Sequence, residues 1–482
     1  MLNIEVIFGI NDIMSNMKLK IKTNGTTAAF FRFLKRAITL ALLICAVAGI
    51  CSAQSTIPNI NSRRLLNDLQ VTVAQTRQFG DSVTIGLVIR YGAAFDPDDK
   101  GGLTGLVTRM LMKATADRSE QNIRTELENL GASIDIHYSW DGIRILLRCP
   151  SARFERALLL LYQIVGEARF EEADFADVKQ SILDELQKPP DPRRRIHDQF
   201  EAVLFQGTTY GRPIEGTYES VSAINIGDVR YFYRRFFSPN QAALQIVGSI
   251  EPAAAHQRIA RIWGLWVRND EIPFTFTRPR NPANREIYVE NDRESPAAQF
   301  IIGGLFPRYE EPDFINALLA ARILEDRINN LLPTSLMTVA SEGRRLAGPF
   351  YIQGQAAAEQ ALDQIRVVNT VVEEMKQTFV TDDEIVAARQ RLTEGFNREL
   401  ETADGLCNIL LDAELFRLGS NYISFFLDRV RRGDAEAVRK AAVAWFFPDG
   451  EIFLIRGPLP VLKNDLDSLG TIQLLAPQII SR

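Results

Sequence analysis

The chain repeats itself once, at long range. "FFSPNQAALQIVGSIEP" begins at Phe236 and "FFPDGEIFLIRGPLP" at Phe446. Pro239 answers Pro448 and Gly248 answers Gly457, each at an offset of 209 residues (448 − 239 and 457 − 248). Both passages read as a turn, an apolar strand and a glycine that ends it. Upstream, "RFEEADFADVKQSILDEL" from Arg169 answers "TFVTDDEIVAARQRLTEGF" from Thr378. Each has a phenylalanine, an acidic helix start and a long helix, with Thr381 or Asp382 as the N-cap of the second copy. The openings, "SVTIGLVIRYGAAFDPDDKGGLTGLVTRML" and "AAQFIIGGLFPRYEEPDFINALLAARIL", each give a strand, an acidic turn with proline and an apolar helix. A period this long marks a duplicated domain, not a solenoid of short repeats.

Within each copy, strands and helices do not alternate strictly. "ASIDIHYSWDGIRILLRC", residues 132–149, alternates apolar and polar positions, which predicts antiparallel hairpin strands with one wet face. Long helices cover the other face. The expected fold class is α+β: two tandem homologous domains, each an antiparallel sheet packed by long helices. The expected boundaries are 1–53 for a signal peptide, 54–270 for the first domain, 271–284 for a linker and 285–482 for the second domain. Pro273, Pro279 and Pro282 with flanking charges predict an extended, exposed linker.

The segment 1–53 stands apart from this pattern. Lys18, Lys20, Lys22, Arg32, Lys35 and Arg36 precede an apolar run from Ala37 to Ile50, and Cys51 and Ala53 offer a small-x-small cleavage site. That is the layout of a secretory signal, so export to the periplasm or the extracellular space is expected, with cleavage after Ala53. The run is short of the roughly 20 residues that span a bilayer. The net charge of −5 gives no reason to expect nucleic acid or an acidic membrane as a partner. Cleavage would leave two cysteines, Cys149 and Cys407, read as buried free thiols.

Taken in order, "RYGAAFDPDDKGGLTGLVTRMLMKAT", "LENLGASIDIHYSWDGIRILLRC", "YGRPIEGTYESVSAI", "FYRRFFSPNQAALQIVGSIEP" and "FIIGGLFPRYEEPDFINALL" resemble the pitrilysin/insulinase-like zinc peptidases, the inverzincins, over about residues 70–475. The resemblance implies the LuxS/processing-peptidase-like metallohydrolase fold. It also implies an H-x-x-E-H motif on the first helix, whose two histidines bind zinc and whose glutamate activates the bound water. Laid on this chain, the histidine positions are Gly105 and Arg109 and the base position is Thr108. The third ligand position is Glu185, 76 residues after Arg109, and the carboxylate often found seven residues before it is here Val178.

Gly105 has no donor, Thr108 has no carboxylate, and Arg109 stays cationic at any working pH. No zinc or other cofactor is therefore expected. The three histidines, His137, His197 and His256, lack a second ligand at metal spacing; His137 reads as a paired or surface strand residue, the other two as helix-surface residues. Arg109 is expected to lie near the position a metal would occupy and to offset a buried Glu185 charge with a bidentate pair; the alternative is that Arg109 reaches out to solvent and Glu185 is simply hydrated. The resemblance also implies an arginine and a tyrosine in the second domain that hold substrate. Arg327 fits the arginine; Thr338 or Ala340 stands where the tyrosine belongs, Pro333 disturbs the helix, and Arg344 and Arg345 are substitutes. The implied function is an exported, catalytically inactive family member that pairs with an active homologue as a heterodimer around extended or unfolded peptides. The alternatives are a stand-alone binding or scaffold protein and a zinc endopeptidase with an unrecognised site.

Overall fold

The computed structural model describes residues 58–475, without 189–191, 271, 273–275, 336 and 467–468. The expected signal peptide lies outside the described residues. Among the described residues, twelve strands fall into two six-stranded sheets. In the first half they are β1 (Asn59–Arg64), β2 (Gln70–Gln75), β3 (Ser82–Ile89), β4 (Ser133–Tyr138), β5 (Ile143–Pro150) and β6 (Ala242–Gly248). In the second half they are β7 (Glu286–Asn291), β8 (Ala297–Phe306), β9 (Thr338–Ser341), β10 (Gly348–Ala357), β11 (Ile452–Gly457) and β12 (Ile472–Leu475). Six helices matter below: α1 (Leu103–Met110), α2 (Glu172–Leu186), α3 (Pro192–Leu204), α4 (Phe314–Leu331), α5 (Asp382–Leu400) and α6 (Ala403–Leu415).

The sheet orders are β1-β2-β6-β3-β5-β4 and β12-β7-β11-β8-β10-β9. From the second position inward they are the same arrangement, and the residues matched at the 209 offset take equivalent places. Gly248 ends β6, which runs antiparallel to β3 and parallel to β2; Gly457 ends β11, which runs antiparallel to β8 and parallel to β7. The architecture is thus two tandem α+β domains, with sheets that are mixed, not purely antiparallel. The parallel pair arises because the last long strand of each half returns from a run of helices, and such a crossover brings it back in the same direction.

Each half lends a helix to the other. α3, from the first half, lies on β8 and β11, burying Ile196, Phe200 and Leu204 against Ile301, Ile452 and Leu454. α6, from the second half, lies on β3 and β6, burying Leu406, Cys407, Leu410 and Leu411 against Val88, Leu146, Ala243 and Val247. The approach is close enough to require glycines in the sheets: a side chain on Gly86 would strike Cys407 Sγ, and one on Gly303 would strike the Phe200 ring. Polar ties reinforce the exchange. Asp404 of α6 accepts hydrogen bonds from Thr84 Oγ1 at 3.0 Å and Arg148 Nε at 2.5 Å, and Arg195 of α3 pairs with Glu290 at 2.5 Å. Each of these two helices buries its apolar face across the joint between the halves.

Parts of the expected linker are held against the fold, while Thr277, Arg278 and Arg280 are exposed. The Phe276 ring packs edge-on against Phe95 at 4.8 Å, Pro279 is buried, and Asn281 Oδ1 accepts a hydrogen bond from Leu305 N at 2.8 Å. Aromatic burial and a side-chain cap hold those parts down. Cys149 and Cys407 are both buried and free, as expected. Among the described residues no helix is long and apolar enough to cross a membrane.

Candidate functional site

α1 begins at a glycine that nothing else can replace. Gly102 has φ of +91°, and a Cβ there would lie 2.5 Å from Glu215 O. Asp96 caps the helix: its carboxylate accepts hydrogen bonds from Gly102 N and Thr104 N, both at 3.0 Å, and from Thr104 Oγ1 at 2.6 Å. Burial pushes the Asp96 carboxyl up to about 7, against the opposing pull of those donors. Leu103, Leu106, Val107 and Met110 then point into the first core.

The other face of α1 carries the positions that the resemblance marked. At Gly105, a Cβ would meet Tyr138 Oη at 2.7 Å and Tyr138 Cζ at 3.0 Å. The tyrosine at the end of β4 thus fills the space that a longer side chain at 105 would take. Thr108 is buried and turns its hydroxyl back to the helix, donating to Gly105 O at 2.8 Å. Arg109 forms the expected pair with α2: Nη1 lies 3.0 Å from Glu185 Oε1 and Nη2 lies 2.7 Å from Glu185 Oε2. The pair is solvated, its side chains 40% and 47% exposed. The pair therefore forms but is not the buried one expected, because α1 and α2 meet where both side chains still reach water; Val178, seven residues earlier on α2, is among the residues of that helix that enter the core.

A second ion pair, Arg194 to Glu215 at 2.7 Å, lies close enough to Tyr138 to act on its hydroxyl. Burial raises the Tyr138 hydroxyl to about 12, Glu215 adds to the rise, and Arg109 opposes it. The hydrogen bond from Arg109 holds Glu185 below the usual carboxylate range. Here the chemistry of zinc does not fit the residues present. One position has no donor, one hydroxyl is committed to the backbone, one side chain is a fixed cation, and the remaining carboxylate is occupied by that cation. Among the described residues, no group of three or more His, Cys, Asp or Glu side chains is placed to hold a metal ion. His137 is exposed on β4, and His197 on α3 lies 3.7 Å from Glu201. His256 corrects the surface reading: it is buried, with Nε2 2.9 Å from Asn61 Oδ1. A helix face turned to a sheet, not to water, is the reason.

The second-half residues take structural places. Arg327 on α4 forms a bidentate pair with Glu384, Nε to Oε1 at 2.6 Å and Nη2 to Oε2 at 3.0 Å. Glu384 is also the reciprocal partner of Thr381 in the capping box that opens α5. Arg327 is therefore tied to the next helix, while its sequence neighbours Glu325 and Asp326 pair with Arg322 and Arg391. Pro333 lies beyond the end of α4 and does not interrupt it. Thr338 and Ala340 fall on β9. Arg344 pairs with Glu201 at 2.5 Å and Glu342 at 2.9 Å. Arg345 N donates to Asp141 Oδ2 at 3.1 Å, and Tyr210 Oη donates to Asp141 Oδ1 at 2.5 Å. Sequence reasoning missed Tyr138, Glu215 and Arg194. The only signal for Tyr138 was its place at the end of an alternating strand; no spacing rule connects it to Gly105.

Residues 71–218 match the family model for "Insulinase (Peptidase family M16)", and residues 223–392 match the model for "Peptidase M16 inactive domain". The beta subunit of the mitochondrial-processing peptidase of Dictyostelium discoideum is 25% identical over 197 residues, 40% of this chain and 41% of the relative. Subunit 1 of the cytochrome b-c1 complex of Bos taurus is 24% identical over 205 residues, 42% of each chain. An uncharacterized zinc protease of Streptomyces coelicolor is 21% identical over 365 residues, 71% of this chain and 78% of the relative. The matches span only 41% and 42% of the length of the first two. Among solved structures, a peptidase M16 inactive domain from Pseudomonas fluorescens superposes with a TM-score of 0.75 at 19% identity, covering 83% of this chain and 98% of that one. A protease from Helicobacter pylori superposes at 0.76 and 14% identity, covering 83% and 100%. At such identities the likeness is one of fold.

Proposed function

This chain belongs to the insulinase family, peptidase family M16, and from that premise we propose that it is a non-catalytic member. In this reading it is exported and serves as the partner subunit of an active homologue, closing one side of a chamber around an extended peptide. One observation carries the loss of chemistry: the Arg109 guanidinium is clamped on Glu185, where the resemblance puts a metal and its third ligand. A fixed cation there repels a metal ion and engages both oxygens of the carboxylate. The relatives lend support to a subunit role, since two of them are named as subunits of larger assemblies.

The test is direct. The purified chain is expected to hold no stoichiometric zinc by metal analysis and to leave unstructured peptides intact on its own. Affinity capture from the native cell envelope is expected to bring down a homologue with an intact H-x-x-E-H. One tightly held zinc per chain, or peptide cleavage lost on chelation, refutes the reading. The scaffold alternative draws on a specific contact: Arg327 is committed to Glu384, so the arginine that the resemblance assigns to substrate is held in the fold. Capture of partners that are not peptidase homologues favours it.

A further inference from the structure

Where the two halves join, a cleft of about 210 Å³ is lined by guanidinium groups: Arg90, Arg278, Arg308, Arg344, Arg345 and Arg417. Glu310 is the sole acidic residue in that lining among the described residues. A second hollow, of about 390 Å³, adjoins it through Arg90 and Arg417 and adds Arg64 and Arg268 together with Asp68 and Asp270. Several of these charges are already balanced. Arg90 pairs with Glu414 at 3.1 Å, Arg308 with Glu311 at 2.6 Å, Arg268 with Asp68 at 2.8 Å, and Arg344 with Glu201 and Glu342. Arg417 and Arg278 are exposed and meet no carboxylate among the described residues. Arg344 is 6% exposed, and its Nη1 is buried without an acceptor.

The excess is concentrated at Arg417. This residue follows the C-cap of α6 and sits at φ of +56°, where the Leu418 N to Ala413 O bond, 2.8 Å long, closes the helix end. That position favours glycine, and an arginine is strained there. The strained backbone sets a cation beside other cations. Arg90 and Arg345 are both held below the usual arginine range, first by burial, with Arg417 among the charges that lower them further. Arg417 and Arg278, which have no carboxylate partner among the described residues, share a half-enclosed cleft with these paired cations between aromatic walls, Phe276, Tyr309 and Phe416, and an anion entering there would offset their charge.

We propose that this cleft binds an oxyanion, the chemistry shared by a peptide carboxylate and a phosphate group. Arg417 and Arg278 supply its open guanidinium donors and Arg344 Nη1 its buried one. The planar fork of arginine matches either group with two parallel hydrogen bonds. The inference is independent of the loss of the metal site, because none of these residues touches α1.

Two titrations of the full chain test it at constant ionic strength. One follows thermal unfolding and heat of binding with inorganic phosphate. The other uses penta-alanine with a free carboxylate, against its C-terminal amide. A saturable rise in melting temperature with phosphate, or with the acid peptide and not the amide, is expected. Response to phosphate alone assigns the cleft to phosphate groups, and response to the acid peptide alone assigns it to peptide ends. Arg417→Gly and Arg278→Gln are each expected to weaken binding about tenfold or more, the size of a lost charge-assisted hydrogen bond. Glycine suits the left-handed position, so Arg417→Gly separates loss of binding from loss of folding. The surface change Arg169→Gln is expected to leave binding as it was. No saturable response to either anion, or unchanged affinity in both cleft variants, overturns the proposal.

Discussion

Replacing Gly105 by alanine tests whether Tyr138 fills the space beside that glycine. Two effects oppose each other. Within a helix, alanine is favoured over glycine by about 1 kcal/mol. Against this, the new methyl would lie 2.7 Å from Tyr138 Oη, closer than packed atoms tolerate, and 3.0 Å from Cζ, which is tight. The ring cannot swing away freely, because Tyr138 is half-buried at the end of β4. Overpacking of this kind costs about 1–3 kcal/mol. The balance is a net loss of about 0–2 kcal/mol for Gly105→Ala in the wild-type background. In a Tyr138→Ala background the clash is gone, so the same substitution is expected to stabilise by about 1 kcal/mol. The sign should therefore reverse between the two backgrounds, which gives a coupling that distant sites do not show. Urea unfolding followed by circular dichroism measures all four variants. Equal effects in both backgrounds, or a gain of about 1 kcal/mol in the wild type, would refute the packing argument.

Because the Arg109–Glu185 pair is nearly half exposed, a double-mutant cycle to alanine should give a coupling of about 0.2–1 kcal/mol, shrinking in high salt. Its pH dependence has a definite sign. Arg109 lowers the folded-state pKa of Glu185, so the contribution is complete above the unfolded value of about 4.3 and is lost as pH falls through the folded one. Acid titration of wild type against Glu185→Gln checks this. Tyr210→Phe removes a hydroxyl that donates to Asp141 and accepts from Leu346 N at 3.2 Å, both in the joint between the halves. It is expected to cost about 1–3 kcal/mol in thermal or urea unfolding, since the partners stay buried; a loss below about 0.5 kcal/mol means the joint does not depend on this bond.

Much of the fold was legible in the sequence because its signals are local. The alternation of 132–149 gave β4 and β5, Thr381 capped its helix, and the 209 offset placed Gly248 and Gly457 at equivalent strand ends. The pairing of Arg109 with Glu185 was also foreseeable, since a cation and a carboxylate placed on facing helices find each other. Other features depend on contacts between residues far apart in the chain, and no periodicity encodes those. Whether α6 covers its own sheet or its neighbour's is decided by complementarity between Cys407 and Gly86, 321 residues apart (407 − 86). The same holds for Tyr138 over Gly105, Arg327 on Glu384 and the arginines that gather around Arg417. An apolar stripe states that a face will be buried; only tertiary packing decides against what, because burial is non-directional and shape and charge select the partner.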